Sequence, residues 1–237
     1  MLDRPLKAYA VTTEDEGTGS IFFARHRIAA LRAGADEYGD GELNYVNCRR
    51  VKWADKYAGG GIPTREAIWN GWRFECFDCG AILSEEEIMD RRGRVADVLG
   101  TMDGASYCSK RCKAHKISVD RRQAVFVARK IEWLKAAVRR IYPSALFCDE
   151  ATATRPQRHH AYAYPQKGGF FLQQAILYFE FAEMKIGPAT FRVEQQRGQV
   201  GPPKGEIMCC GGDVEAFRAW AKSERAPMAD AKAEITA

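Results

Sequence analysis

Four of the eight cysteines form two closely spaced pairs, Cys76-Phe77-Asp78-Cys79 and Cys108-Ser109-Lys110-Arg111-Cys112, with 28 residues between Cys79 and Cys108. Zn²⁺ takes four ligands in a tetrahedron, and two thiolate pairs across a loop of this size match that demand. The Cys-x-x-Cys turn lets two sulfurs converge, and Gly80 follows where such a knuckle needs a permissive backbone. The i, i+4 spacing of Cys108 and Cys112 puts both sulfurs on one face of a first helical turn. Cys76, Cys79, Cys108 and Cys112 are therefore read as ligands of one structural Zn²⁺ per chain. Four buried thiols or a redox pair are the other readings, but a redox Cys-x-x-Cys leaves the second pair without a role. Four protein ligands fill the coordination sphere, so such an ion has no position left to activate water.

Other chemistry-bearing sets are sparse. The histidines are His26, His115, His159 and His160, none in a His-x-Glu motif ahead of the cysteine pairs. Gly59-Gly60-Gly61 lacks the Gly-Lys-Ser/Thr ending of a phosphate-binding loop. An Mg²⁺-dependent nuclease would have to use Asp149 and Glu150 with His159 or His160. A second metal site from Cys209, Cys210, His159 and His160 is disfavoured, because neighbours on a strand point to opposite faces. No catalytic residue is assigned, and a non-enzymatic protein is expected.

The net charge is only +5, yet residues 109–140 carry 11 basic and 2 acidic side chains. Lys110, Arg111, Lys113 and Lys116 flank the second cysteine pair, where cations oppose the helix dipole. Further on, Arg122, Phe126, Arg129, Trp133 and Arg140 fall within about 60° of one another at 100° per residue. Arginines interleaved with aromatics can grip phosphates and stack bases. A solvated or salt-bridged face, with Phe126 and Trp133 in the core, is the alternative.

The elements that must position these residues read as an α+β protein. Lys7–Thr13, Ser20–Ala24 and Leu43–Val51 have strand patterns and Arg25–Ala35 a helical one, giving a small β-β-α-β unit. Glu14–Ser20 and Asp36–Gly41 read as loops, and Thr64 as the cap of a short helix. The helix from Cys112 is expected to break near 117–120, with Asp120 capping a second helix. That second helix carries an apolar seam of Ala124, Val127, Ile131, Leu134, Val138 and Ile141, ended by Pro143. Strand signals follow at 145–154, 159–164, 170–184, 189–195 and 205–210, and Asp213 is placed as the cap of a last helix with Val214, Phe217 and Trp220 on one side. The expected order is an N-terminal unit (1–70), a four-cysteine zinc module (71–119), a helix plus antiparallel sheet (120–225) and a flexible tail (226–237). No apolar run reaches the length of a membrane span, and the N-terminus lacks a signal-peptide core. A reducing, cytoplasmic setting is expected, with the remaining cysteines as free thiols.

A knuckle followed by a cysteine pair at a helix start resembles a treble-clef zinc finger. Residues 36–57, with Asp40-Gly41-Glu42, Cys48-Arg49-Arg50 and Trp53-Ala54-Asp55-Lys56-Tyr57, resemble the start of a group of uncharacterised phage and prophage proteins. Those proteins also carry a cysteine-rich finger like Trp72 to Cys112, and Gly212-Asp213-Val214-Glu215-Ala216-Phe217 is similar to their C-terminal region. The resemblance implies a bacterial host cell and names no catalytic residue. The first functional expectation is an accessory protein that binds nucleic acid or a host nucleoprotein complex through the basic helix, for instance to inhibit a host defence system. The second is a protein-interaction or assembly module, meeting an acidic partner or forming a homodimer through the aromatic face. The third is the metal-dependent nuclease.

Overall fold

The computed structural model describes residues 5–13, 18–196 and 204–225. Expectations for the 14–17 loop, the Pro202-Pro203 loop and the 226–237 tail lie outside the described residues. The chain is mixed α+β and divides into two compact units, Met1–Ile117 and Ser118–Ala237.

The first unit is built on β1 (Lys7–Thr13), β2 (Gly19–Ala24) and β3 (Val46–Arg50), an antiparallel sheet of order β2-β1-β3. Residue alternation splits β1 between two cores. Tyr9 and Val11 face α1 (Arg27–Tyr38), whose buried residues Ala30, Gly34 and Ala35 are all small. Ala8 and Ala10 face the opposite cluster of Ile21, Val51, Ala54, Ile62 and Ala67, edged by Trp53, Trp72, Phe74 and Met102. The expected β-β-α-β unit is present, but Leu43–Tyr45 is a 3₁₀ turn and the third strand starts only at Val46. Positive φ at Asp40 and Gly41 redirects the chain there. Another 3₁₀ turn, Lys52–Tyr57, brings Asp55 under the sheet to accept the Ala8 N–H at 2.8 Å and to pair with Arg50.

The short helix α2 (Thr64–Trp69) has Pro63, not Thr64, at its N-cap. Thr64 is fully buried and its hydroxyl is bonded to Ser106 Oγ at 2.8 Å instead. The hairpin β4 (Phe74–Glu75) and β5 (Ile82–Leu83) follows, then α3 (Glu85–Asp90), capped by the Ser84 hydroxyl accepting from the Glu87 N–H.

Helix α4 (Lys110–Ile141) is continuous for 32 residues. The expected break at 117–120 is absent and Asp120 is an interior helical residue, not a cap. No glycine or proline occurs between Lys110 and Ile141, so nothing in the backbone stops propagation.

In the second unit β8 (Gly169–Glu180) is the central strand. It pairs on one side with β9 (Ala189–Glu194), which pairs with β10 (Lys204–Met208). Its other side is shared by β6 (Leu146–Phe147) and β7 (His160–Gln166). Ala175, Leu177 and Phe179 of β8 point into a core with Leu134 and Val138 of α4 and Trp220 of α5 (Val214–Arg225). Trp220 stacks on Tyr142 at 5.1 Å and donates its indole N–H to Ser144 Oγ. Ala124, the first residue of the expected seam, is exposed. Asp213 does not spend its carboxylate on capping α5. Fully buried, it accepts the backbone N–H groups of Lys185, Ile186 and Gly187 at 2.8–3.2 Å.

Gly34 tests the packing of α1 on the sheet. A Cβ at this position would lie 2.3 Å from Val11 Cγ1, and Val11 is fully buried in the central strand. Gly34→Ala gains helix propensity of about 1 kcal/mol. The overpacking of a pinned neighbour costs about 1–3 kcal/mol. Chemical denaturation is expected to show a net loss for Gly34→Ala and almost no change for Gly169→Ala, whose Cβ meets nothing within 4 Å.

Candidate metal centre

The β4–β5 hairpin makes the first half of the cysteine site. Within its turn the Cys76 N–H donates to Ala81 O at 2.8 Å and the Gly80 N–H to Cys76 O at 2.9 Å. Gly80 has φ +69°, a left-handed conformation that a side chain resists, so the glycine after the knuckle is a geometric requirement. The second half is the start of α4. Ser109 Oγ accepts the Cys112 N–H at 3.2 Å, capping the first turn and turning Cys112 toward Cys108. Tyr107 and Leu99 exchange backbone hydrogen bonds, and the Phe77 N–H donates to Ser106 O, tying the approach to the helix against the knuckle.

These contacts bring the sulfurs of Cys76, Cys79, Cys108 and Cys112 within 4.8 Å of one another. Cys79 and Cys108 are 3.8 Å apart and Cys108 and Cys112 3.3 Å. Four sulfurs at about 2.3 Å from a tetrahedral ion would be about 3.8 Å apart, so the cluster is compatible with a zinc site. Cys76 is 2% exposed and receives the Cys108 N–H on its sulfur. Burial opposes its ionisation, but the backbone N–H groups of Cys79, Cys108 and Asp78 outweigh that and bring its thiol down to about 7. The Cys112 thiol is pushed up by its hydrogen bond with Cys108 and by burial, and burial also raises Cys79. Three of the four positions therefore do not share one electrostatic environment: backbone N–H groups favour ionisation of Cys76, the Cys108 hydrogen bond and burial oppose it at Cys112, and burial opposes it at Cys79. Among the described residues no other group of histidine, cysteine and carboxylate side chains has metal-ligand spacing. The alternative set of Cys209, Cys210, His159 and His160 is not brought together.

The basic residues on α4 have different fates. Lys110, Arg111 and Lys113 are exposed, whereas Lys116 is half-buried with its ammonium 4.9 Å from the Phe77 ring centre. His115 contacts Asp78 at 2.7 Å. Arg122, Arg129 and Arg140 are exposed and form no ion pair among the described residues. Phe126 is half-buried against Phe170, 5.7 Å between ring centres, so it is partly scaffold. Trp133 is 37% exposed, with Lys130 Nζ 5.3 Å from it and 5.8 Å from the Phe126 ring. The sequence stripe omitted Lys130, whose position between two aromatics four before and three after it on a helix is legible in retrospect.

Lys135, also passed over, is 4% exposed and bonded to Glu132 at 2.8 Å and Asp149 at 2.6 Å. The other Asp149 oxygen contacts His159 Nε2 at 2.8 Å, while His159 Nδ1 accepts the Tyr178 N–H at 3.2 Å. His159 is thus held as the neutral Nε2–H tautomer. Glu150 pairs with Arg139, and His160 is exposed on β7. Both carboxylates of the nuclease reading are therefore engaged by cations or an imidazole N–H. No protein-family model matches this chain, and no curated protein or solved structure matches it.

Elemental analysis is expected to find one zinc per chain. Chelation, or Cys79→Ser, is expected to lower the thermal midpoint of the Met1–Ile117 unit, because metal binding at such sites is coupled to folding.

His159 sets a pH dependence. Burial lowers its pKa, outweighing the opposing pull of Asp149. The unfolded chain therefore binds the extra proton more readily than the folded one. The stability contributed by neutral His159 is complete above its ordinary value of about 6.5 and is lost as pH falls from there toward the lower folded value. Denaturation across pH 8 to 5 is expected to show that decline, and His159→Gln to flatten it.

Proposed function

We propose that this protein is a zinc-stapled accessory protein of phage type that binds nucleic acid, or a host nucleoprotein complex, through α4. The zinc is structural, one per chain, and the setting is the cytoplasm of a bacterial host. The observation that carries the reading is the exposure of Arg122, Arg129 and Arg140 without ion-pair partners among the described residues, on one side of a helix with Trp133. Guanidinium groups left in solvent can pair bidentately with phosphates, and an exposed indole offers a face to a base. The phage setting rests on the resemblance read in residues 36–57 and 72–112 of the sequence. Occlusion of a nucleic-acid channel in a defence complex would need only such a surface. A filled thiolate site supplies scaffold rather than catalysis.

A protein partner is the second reading. Val125 and Trp133, 52% and 37% exposed on the same helix, are apolar side chains that such a partner would cover.

Fluorescence anisotropy with labelled single- and double-stranded DNA and RNA over a salt series separates the readings. Three phosphate contacts predict a log–log salt slope of about −2 to −3. Arg122→Glu with Arg129→Glu is expected to abolish retention without changing the melting profile. A salt-independent association, or one that survives the double substitution, would reject α4 as the phosphate-binding surface. Affinity capture from prophage-carrying cells with and without nuclease then distinguishes a nucleoprotein from a protein partner.

A further inference from the structure

The first unit contains a feature independent of α4 and of the cysteine site. On the Ala8/Ala10 face of the β2-β1-β3 sheet, Ile21 packs into the first cluster with Phe23 beside it, and Gly19, Thr12 and Arg49 share the same face toward its other end. Gly19 has to be glycine: a Cβ would sit 2.1 Å from Val11 O. It therefore brings no side chain to this end of the face. A cleft of 620 Å³ opens over it, walled by Trp72, Phe74 and Met102 and rimmed by Thr18 and Arg73. Its volume lies within the range of about 300–1,000 Å³ typical of small-molecule sites.

The chemistry of the cleft is uneven in a way that selects a ligand. Arg49 and Arg73 are both exposed, and neither has an ion-pair partner among the described residues. Among the described residues that line the cleft, Arg49 and Arg73 are the charged ones. The hydroxyls of Thr12 and Thr18 add neutral hydrogen-bonding groups. Trp72, Phe74 and Met102 supply an aromatic and thioether wall.

We infer that this cleft binds a nucleoside phosphate, with Arg49 and Arg73 on the phosphate and the base against the Trp72–Met102 wall. A purely apolar ligand would leave the two cations unused. A bare anion would leave the wall unused. The same chemistry is offered by a free mononucleotide and by the 5′-phosphorylated end of a strand.

Calorimetric titration of the full chain with adenosine 5′-monophosphate, adenosine and inorganic phosphate tests the inference. Saturable 1:1 binding of the monophosphate is expected. Charge-assisted hydrogen bonds of this kind predict that adenosine binds at least about tenfold more weakly, and that Arg49→Gln and Arg73→Gln each weaken the monophosphate about tenfold. Thr18→Glu, at an exposed rim position, is expected to remove binding by charge while both arginines stay. A pentanucleotide with a 5′-phosphate that outcompetes the mononucleotide assigns the site to strand ends; the reverse order assigns it to free nucleotide. Absence of saturable binding by both phosphorylated ligands, or affinities unchanged in variants that melt like the parent, overturns the inference.

Discussion

Four cysteine sulfurs within 4.8 Å of one another cannot all be thiolates unless a cation lies among them. Two unit charges at 4 Å repel by roughly 4 kcal/mol at an effective dielectric of 20, and four thiolates contain several such pairs. The positions are also not equivalent. Cys76, under three backbone N–H groups, is brought down to about 7, while Cys79 and Cys112 are pushed up. The knuckle, the Leu99–Tyr107 bridge and the first turn of α4 converge there, beside an apolar cluster of Ile68, Leu83, Ile88, Val95 and Val98. A cation that replaced the thiol protons would add to that cluster a link between the hairpin and the helix.

The parts of this arrangement that depend on local chemistry were legible in the sequence. The cysteine spacing, Gly80 after the knuckle, the alternation in β1 and the end of α4 before Pro143 each follow from neighbouring residues. The failures occur where a polar side chain had two uses. Asp120, Thr64 and Asp213 were all read as helix caps. Asp120 is inside an uninterrupted helix, Thr64 bonds Ser106, and Asp213 gathers three N–H groups from residues 185–187. A cap is a local solution for a side-chain oxygen. A buried one will take any donor that tertiary packing delivers, and sequence distance gives no warning of it.

The same distinction governs charge. Residues 109–140 have a formal excess of nine positive charges, but the fold withdraws several of them. Lys135 is buried between Glu132 and Asp149, and Arg139 pairs with Glu150. Lys130 rests over Phe126 and Trp133. A buried ammonium is tolerated only with its counter-charges in place, so Lys135 draws Asp149 toward α4, and His159 follows Asp149 through its Nε2–H. Of the residues read as a metal-dependent site, Asp149 and His159 belong to the surroundings of that buried lysine, Glu150 pairs with Arg139, and His160 is exposed.

What remains after that accounting includes cations without an ion pair among the described residues: Arg122, Arg129 and Arg140 on α4, and Arg49 and Arg73 at the cleft of the first unit. Exposed arginines on their own are ordinary. These differ in having an aromatic surface beside them, Trp133 in one case and Trp72 in the other. Phosphate and base require that combination, because the charge fixes the backbone and the ring takes the flat face. It arises here in two ways. On α4 it is written in helical periodicity and could be read directly. In the cleft it comes from residues between Thr12 and Met102 that tertiary packing brings together, and no spacing rule connects them. Binding chemistry that sits on one element is visible in a sequence; binding chemistry assembled from several elements is visible only once the chain is folded.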